Sequence, residues 1–323
     1  VYTVPDKTSD TCTYTLAYDG TTDNNLRYVG KNPCNYVKID NEFWRIIGVM
    51  NNIDDGTGNK ESRIKLIRNE SIGTYSWDTS DSTVNGGLGV NEWSQSDAMK
   101  LLNPGYERES VGGSLYYNID SGNCYNGENN ATTSCDFTDI GLKANLKALI
   151  SDAIWHTGTN GKNSYTSSSN GLTSHFYGYE RSNNTGKICI AGDYCNDVII
   201  RTIDWKGKVG LMYPSDYGYA TGGGNTSNRT SCLNKELYNW NDSSCSDCVN
   251  NDWLYNSSNW QWNITSAAAS SYAFGTFNVR GGGRVDNSRA SSQYAVRPSV
   301  YLIPSTTITD GLGTKENPYV LGI

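Results

Sequence analysis

The sequence predicts an α+β fold stapled by disulfides, and three observations carry that reading. Asn, Gly and Ser are dense throughout, with 34 glycines among 323 residues. Such a chain needs many turns, which favours short strands over a helical bundle. Several stretches alternate apolar and polar residues at period two, the mark of a strand with one face in a core. One stretch, 139–156, spaces its apolar residues at the helical period instead. Aromatics make up 11% of the chain, with 23 Tyr and 9 Trp. That is enough apolar surface to fold and argues against disorder.

The elements follow in order. Residues 1–35 are polar and turn-rich. Residues 36–40 lead through a turn at Asn41-Glu42 into 43–50, a nearly continuous apolar run that reads as a central strand. Residues 63–68 alternate cleanly. A helix is expected over 93–102, where Trp93, Ala98, Leu101 and Leu102 share a face and Pro104-Gly105 ends it. The longest helix is expected over 139–156, with Ile140, Leu142, Leu146, Leu149, Ile150, Ala153 and Ile154 in one stripe. Thr138 would cap it and Gly158 would end it. His156 would then sit in its last turn, where the helix dipole suits a cation. Residues 158–175 read as a Gly/Ser/Asn loop. Residues 198–205 and 209–213 read as strands around Lys206-Gly207-Lys208, and 233–240 as a third helix. Phe277, Val279 and Val285 flank a glycine turn in a hairpin, and 308–321 form a closing hairpin. No linker divides the chain and no fixed-period repeat occurs. The expected organisation is a turn-rich segment (1–35), a main domain (36–302) and a tail (303–323).

Charge narrows the function. The net charge is −7 and no run of Lys or Arg exceeds two residues, so the basic footprint of nucleic-acid binding is missing. No apolar stretch is long enough to suggest a membrane-spanning helix. The start at Val1-Tyr2-Thr3-Val4 reads as a processed end, with any signal or anchor removed.

Nine cysteines pair by proximity: Cys12 with Cys34, Cys124 with Cys135, Cys189 with Cys195, and Cys232 with Cys248 or Cys245. Each pair closes a loop, the pattern of an oxidised extracellular protein. Cys245-Ser-Asp-Cys248 has metal-ligand spacing, but a zinc site needs a second such pair or two nearby His. The chain has only His156 and His175, neither in ligand spacing. A thioredoxin-like role lacks its βαβ context. Eight Asn-x-Ser/Thr sequons occur, at Asn69, Asn130, Asn183, Asn225, Asn228, Asn241, Asn256 and Asn263; they matter only where the host glycosylates secreted proteins.

The closing hairpin supplies the candidate contact surface. If Phe277, Val279 and Val285 face the core, their neighbours face solvent. That display set comprises Trp260, Trp262, Tyr272, Phe274, Thr276, Asn278, Arg280, Arg284, Asp286, Asn287, Arg289, Gln293 and Tyr294, side chains that antibody paratopes favour. Trp260 and Trp262 would share one strand face and be buried or exposed together. Trp253 and these two could stack on sugars or pack internally. Arg297, before Pro298, could tie loop carbonyls together or contact a ligand, since its planar fork suits either use. No Ser-His-Asp order, paired-carboxylate motif or phosphate loop is recognisable, so no catalytic residue is assigned.

Three resemblances follow. Trp240-Asn241-Asp242-Ser243-Ser244-Cys245 resembles the W-N-D-x-x-C signature of C-type lectins, whose Asn and Asp oxygens bind calcium. No Glu-Pro-Asn or Gln-Pro-Asp partner motif precedes it. Asn278-Val279-Arg280-Gly281-Gly282-Gly283, with Arg289 and Arg297-Pro298, resembles the R-G-G segment of the formylglycine-generating-enzyme branch of that fold. The hypervariable proteins of diversity-generating retroelements share this fold. The Trp that follows R-G-G is absent, and 253–302 hold no cysteine for the enzyme's copper-binding thiol pair. Across nearly the whole chain, Phe43-Trp44-Arg45-Ile46-Ile47-Gly48, Gly207–Ala220 and Val296–Leu302 look like a family of pilin-associated surface proteins from gut Bacillota. The resemblance implies a C-type-lectin-like domain in which Phe277, Val279, Gly283, Val285 and Val296-Arg297-Pro298 are scaffold. Phe274, Gly275, Arg280, Gly281, Gly282, Arg284, Asp286, Asn287 and Arg289 are its replaceable positions. The expected function is extracellular ligand binding or adhesion, without a cofactor other than calcium, toward a glycan or protein on a host or microbial surface. The rivals are a structural pilus or cell-wall subunit and an oxidase of the formylglycine-generating type.

Overall fold

A computed structural model describes residues 11–79, 88–103, 142–181, 202–269 and 274–323. The N-terminal strands are β1 (Leu16–Tyr18), β2 (Leu26–Tyr28), β3 (Tyr36–Ile39), β4 (Glu42–Asp54), β5 (Lys60–Arg68) and β6 (Thr74–Ser76). Helices α1 (Asp97–Leu102) and α2 (Ala144–Leu149) precede β7 (Ala153–His156), β8 (Asn160–Gly161) and α3 (Thr173–Glu180). Next come β9 (Asp204–Gly207), β10 (Val209–Gly210), α4 (Pro214–Ala220), α5 (Arg229–Leu233) and α6 (Ser246–Asn250). The chain closes with β11 (Gln261–Ala268), β12 (Gly275–Val279), β13 (Val285–Arg289), β14 (Gln293–Ala295), β15 (Ser299–Tyr301), β16 (Thr307–Asp310) and β17 (Val320–Gly322). This is an α+β architecture with predominantly antiparallel pairing.

Two sheets organise it. The first runs β1-β2-β4-β5-β15-β10, with β3 also on β4; the second runs β13-β12-β11-β14-β6, with β8 on β11. β4 is the spine of the first sheet, as its apolar run predicts: β2 and β3 share one of its edges and β5 takes the other. The sheets are joined by residues 296–298, between β14 of one and β15 of the other. Trp44, Trp77, Trp93, Trp155, Trp240 and Trp262 are fully buried in the core between and around them.

Several expected elements differ. The 139–156 helix is short: α2 ends at Leu149 and β7 begins at Ala153. The apolar period switches there from helical to two, with Ala153 and Trp155 buried and Ile154 and His156 less so. The 93–102 helix is a 3-10 turn at Trp93–Gln95 followed by α1, because Ser96 interrupts it and caps α1 by accepting from Met99 N at 3.1 Å. Of the strands expected around Lys206-Gly207-Lys208, 198–201 lie outside the described residues, and short strands form at Asp204–Gly207 and Val209–Gly210 without pairing to each other. β9 pairs with β7 and β10 with β15, so the chain changes sheets there. The 158–175 loop contains β8, a 3-10 turn and the start of α3. The 233–240 helix is replaced by α5 before it and a 3-10 turn at Leu237–Asn241. The closing hairpin exists as β16–β17.

The interior holds charges as well as aromatics. Arg27 on β2, Gly48 on β4, Lys65 on β5 and Tyr301 on β15 form one row across four strands. A Cβ on Gly48 would lie 2.3 Å from the Leu26 carbonyl oxygen, so glycine sets the close approach of β2 and β4. Arg27 and Lys65 converge on Asp216 of α4: Nη1 donates to Oδ1 at 2.8 Å and Nζ to Oδ2 at 2.6 Å. Asp216 Oδ2 also accepts from Tyr213 N at 2.9 Å, capping α4. Arg27 Nε donates to Asp19 at 2.8 Å. Burial pulls the Lys65 ammonium down to about 8 against the pull of Asp216. Burial would raise the Asp216 carboxyl, but Lys65 and Arg27 outweigh it and hold it well below the usual carboxylate range.

Asp216→Asn keeps the shape and removes the charge. It should cost about 3–5 kcal/mol by urea unfolding at neutral pH, because Lys65 stays buried without its counter-ion. Since the folded carboxyl binds its proton less readily than the unfolded one, its contribution is present above about pH 4 and lost as pH falls below it. The gap between the native chain and the variant should therefore narrow in acid, and a constant gap would show that Asp216 does not carry this charge. Gly48→Ala should cost about 1–3 kcal/mol through overpacking against β2, read as a lowered urea midpoint.

Candidate functional site

The hairpin forms with Thr276 opposite Ser288, Phe277 opposite Asn287, Asn278 opposite Asp286 and Val279 opposite Val285. Phe277 packs edge-on against Tyr165 and Phe176, both at 5.1 Å between ring centroids. The expected display of the opposite face is corrected: Thr276, Asn278, Trp262, Phe274 and Asp286 are buried. The 88–103 segment lies against this sheet. Asn91 Nδ2 donates to Ala267 O at 3.0 Å and Gly275 O at 2.6 Å, and Ser266 Oγ to Asn91 O at 2.6 Å. Asn278 Nδ2 finds a partner there, donating to Ser288 Oγ at 3.0 Å. Trp260 and Trp262 do not share exposure. Trp262 is buried and Trp260 is 36% exposed, just ahead of β11, with Tyr294 against both rings. Tyr272 lies outside the described residues.

What reaches solvent is the hairpin's rim. Arg289 and Gln293 are exposed, Asn287 and Tyr294 are half-buried, and the Arg280 and Arg284 side chains are 25% exposed. Asp286 organises this rim. Its Oδ2 pairs with Arg280 Nε at 3.1 Å and Arg284 Nη2 at 2.8 Å. Its Oδ1 accepts from Tyr165 Oη at 2.6 Å and Asn287 N at 2.8 Å. Burial, then Asp286, pushes the Tyr165 hydroxyl far above its ordinary value, so it stays a donor. Arg280 stacks over the Trp260 ring at 4.5 Å and Arg284 over Tyr238 at 5.0 Å.

The turn between the strands is pinned from below. Gly283 N donates to Arg280 O at 2.8 Å, and Arg280 N to Arg284 O at 2.9 Å. Tyr255 Oη donates to Gly281 O at 2.5 Å and Tyr217 Oη to Gly283 O at 2.7 Å. Gly283 has φ +89°, and a Cβ there would meet Val249 methyls at 2.5 Å; both demands select glycine. No local pattern identifies Tyr165, Tyr217 or Tyr255 as supports, because each arrives from a distant segment.

Other candidates resolve into structure. Arg297 is buried at the crossing between sheets, where Nε donates to Arg68 O and Nη1 to Gln261 Oε1, each at 3.0 Å. Burial pulls its guanidinium down to about 10. Its fork therefore serves the scaffold rather than a ligand. Trp253 packs inside, with Nε1 donating to Tyr28 O at 3.0 Å and Arg45 over its ring at 4.5 Å. His156 is corrected from helix end to strand: it pairs with Asp204, Nδ1 to Oδ1 2.6 Å, beside a cleft of about 350 Å³ that also includes Asp54 and Lys60. Its hydrogen bond holds the Asp204 carboxyl below the usual range. Trp240 is buried, Asn241 is exposed beside Gly282, and Asp242 pairs with Lys235 at 3.6 Å. Among the described residues, no three His, Cys, Asp or Glu converge as a metal ion would require. The Asn263 sequon is fully buried.

Cys12–Cys34 and Cys232–Cys248 are disulfides, and Cys245 is a buried free thiol. The Cys245/Cys248 spacing is thereby removed from metal binding, since Cys248 is committed. Cys124, Cys135, Cys189 and Cys195 lie outside the described residues. No helix among the described residues is long and apolar enough to cross a membrane. No family model matches the chain, and neither a curated protein nor a solved structure matches it.

The Cys232–Cys248 bridge closes a loop of sequence separation 16 around the segment that carries Trp240. Replacing both cysteines with serine should cost about 3 kcal/mol, the loop-closure expectation at this length. Thermal unfolding checks this, and an unchanged midpoint would remove the bridge from the scaffold's support.

Proposed function

We propose that the protein is an extracellular ligand-binding or adhesion module, acting by recognition and not by catalysis. The observation that carries this reading is the rim turn: Arg280 and Arg284 are fixed on one buried-edge carboxylate and remain partly open to solvent. Long side chains ordinarily lose much freedom when they bind; here the tethering has already taken most of it. Trp260 packs beside the turn with Tyr294 against it, and Arg289 and Gln293 are exposed farther along the same sheet, aromatic and polar groups that recognition surfaces favour. The two disulfides favour an oxidising compartment outside the cell. A C-type-lectin-like scaffold from the pilin-associated surface family of gut Bacillota accounts for the rigid sheet and displayed turn, and its partner is a glycan or protein on a host or microbial surface. The contact set is narrower than the sequence implies, consisting of Trp260, Arg280, Arg284, Asn287, Arg289, Gln293 and Tyr294.

The test is a glycan-array and cell-binding screen with the purified chain, with and without calcium, repeated with Arg280→Ala plus Arg284→Ala. Calcium-independent binding that falls about tenfold or more in the double variant is expected, since lost charge-assisted bonds are worth roughly that factor. The variant should stay folded by circular dichroism. Calcium-dependent binding that ignores the double substitution would instead assign recognition to Asn241-Asp242. Concentration-dependent self-association without any bound ligand would favour a structural subunit.

A further inference from the structure

We propose that the 280–284 turn is an anion-recognition site whose ligand is an acidic saccharide, one carrying a carboxylate or sulfate; this rests on the binding reading above. The turn is rich in donors and poor in acceptors. Asp286 is shared by two guanidinium groups, so the local sum of two positive charges and one negative leaves one positive charge over. Asp286 Oδ1 is already committed to Tyr165 and Asn287, so the carboxylate has little left to offer a ligand. Arg280 approaches it through Nε and Arg284 through Nη2 as ion pairs, and neither guanidinium has a side-chain hydrogen bond to any other group among the described residues. Each keeps terminal N–H groups of its fork for an incoming oxyanion.

The backbone adds to this. In the turn, Gly283 N and Arg280 N are used internally, whereas Gly281 N and Gly282 N have no partner among the described residues. The same holds for the Trp260 indole N–H, whose nitrogen would lie 3.5 Å from a Cβ on Gly281. Guanidinium, indole and peptide donors therefore border one turn. Any residue larger than glycine at 281 would approach the Ser257 carbonyl at 3.0 Å, filling the space beside them.

The surroundings favour a saccharide over a protein. A protein partner needs an apolar or aromatic centre to its interface. Of the large apolar side chains exposed among the described residues, only Trp260 is here. Its ring is already in contact with Tyr294 at 5.0 Å and Arg280 at 4.5 Å, while its indole N–H is left without a partner among the described residues. A flat sugar face stacked on Trp260 is thereby disfavoured. The recognition expected is of a charged group by hydrogen bonds, with sugar hydroxyls reaching the polar rim at Gln293 and Asn241.

The experiment is isothermal titration of the full chain with sialyllactose, sulfated lactose, an oligogalacturonate, plain lactose and a glutamate-rich peptide, on the native protein and on Arg284→Gln and Arg284→Lys. Expected is binding of at least one acidic saccharide about tenfold or more tighter than lactose, a step of about 1.4 kcal/mol. It should weaken as salt approaches about 0.15 M. Arg284→Gln should lose that margin, and Arg284→Lys should recover part of it as a point charge without the fork, with melting temperatures unchanged. Equal binding of lactose overturns the acidic assignment and leaves the contact surface standing. Binding of the peptide alone overturns the saccharide. Binding of none of these, while array or cell binding is still lost in the double variant, overturns the anion inference alone. If the double variant also keeps that binding, the surface reading falls with it.

Discussion

A single buried carboxylate, Asp216, ties the molecule together. It receives Arg27 from β2, Lys65 from β5 and the backbone of Tyr213 at the start of α4. The two cations are far apart in sequence from their partner, 189 and 151 residues respectively. Their desolvation is tolerable only because every charge has a counter-charge within hydrogen-bond range and aromatic faces around it. Trp155, Tyr213 and Tyr301 enclose the Lys65 ammonium at 5.1, 4.2 and 5.3 Å. Helix α4 is thereby fixed over the first sheet. Its Tyr217 reaches from there to hold the Gly283 carbonyl, so the charged interior and the rim turn belong to one rigid path.

Rigidity at the rim has the same origin in miniature. Asp286 is to Arg280 and Arg284 what Asp216 is to Arg27 and Lys65: one carboxylate and two cations. The difference is exposure. At Asp216 the cations are sealed from solvent, with Arg27 and Lys65 both fully buried. At Asp286 they stand at the surface with part of their bonding capacity unspent. A surface ion pair of this kind contributes little to stability, so its presence is better explained by what it holds in place than by the energy it supplies.

How much of this was legible in the sequence depends on whether the governing contact was local. The β4–β5 pair was legible because apolar content and alternation are local properties of 43–50 and 63–68. The Cys12–Cys34 pairing and the β16–β17 hairpin were legible for the same reason, and Cys232 had narrowed to two partners. The 139–156 stripe misled because apolar residues of a helix and of a following strand fell into one continuous pattern; nothing within it marks Leu149 as an end. The hairpin's polar face misled more deeply. Alternation at Thr276 and Asn278 shows that two faces differ, but not that the polar one is open. Asn91, nearly two hundred residues away, lies against that sheet. The Arg27–Lys65–Asp216 cluster left no local trace, and Gly48 between the two cations looked like any other strand glycine.

The crossing at Val296-Arg297-Pro298 also governs when the fold can close. β15 pairs with β5 and carries β10 on its other edge, so the first sheet remains incomplete until a segment near residue 300 has arrived. The strands that began it lie more than two hundred residues earlier. Such long-range closure slows folding and prolongs the exposure of unpaired edges. During synthesis, β4 and β5 would emerge as a hairpin with an apolar face and wait for their C-terminal partner. A chain built this way depends on whatever shields that waiting edge, and a nascent chain halted before β15 would present it to every neighbour.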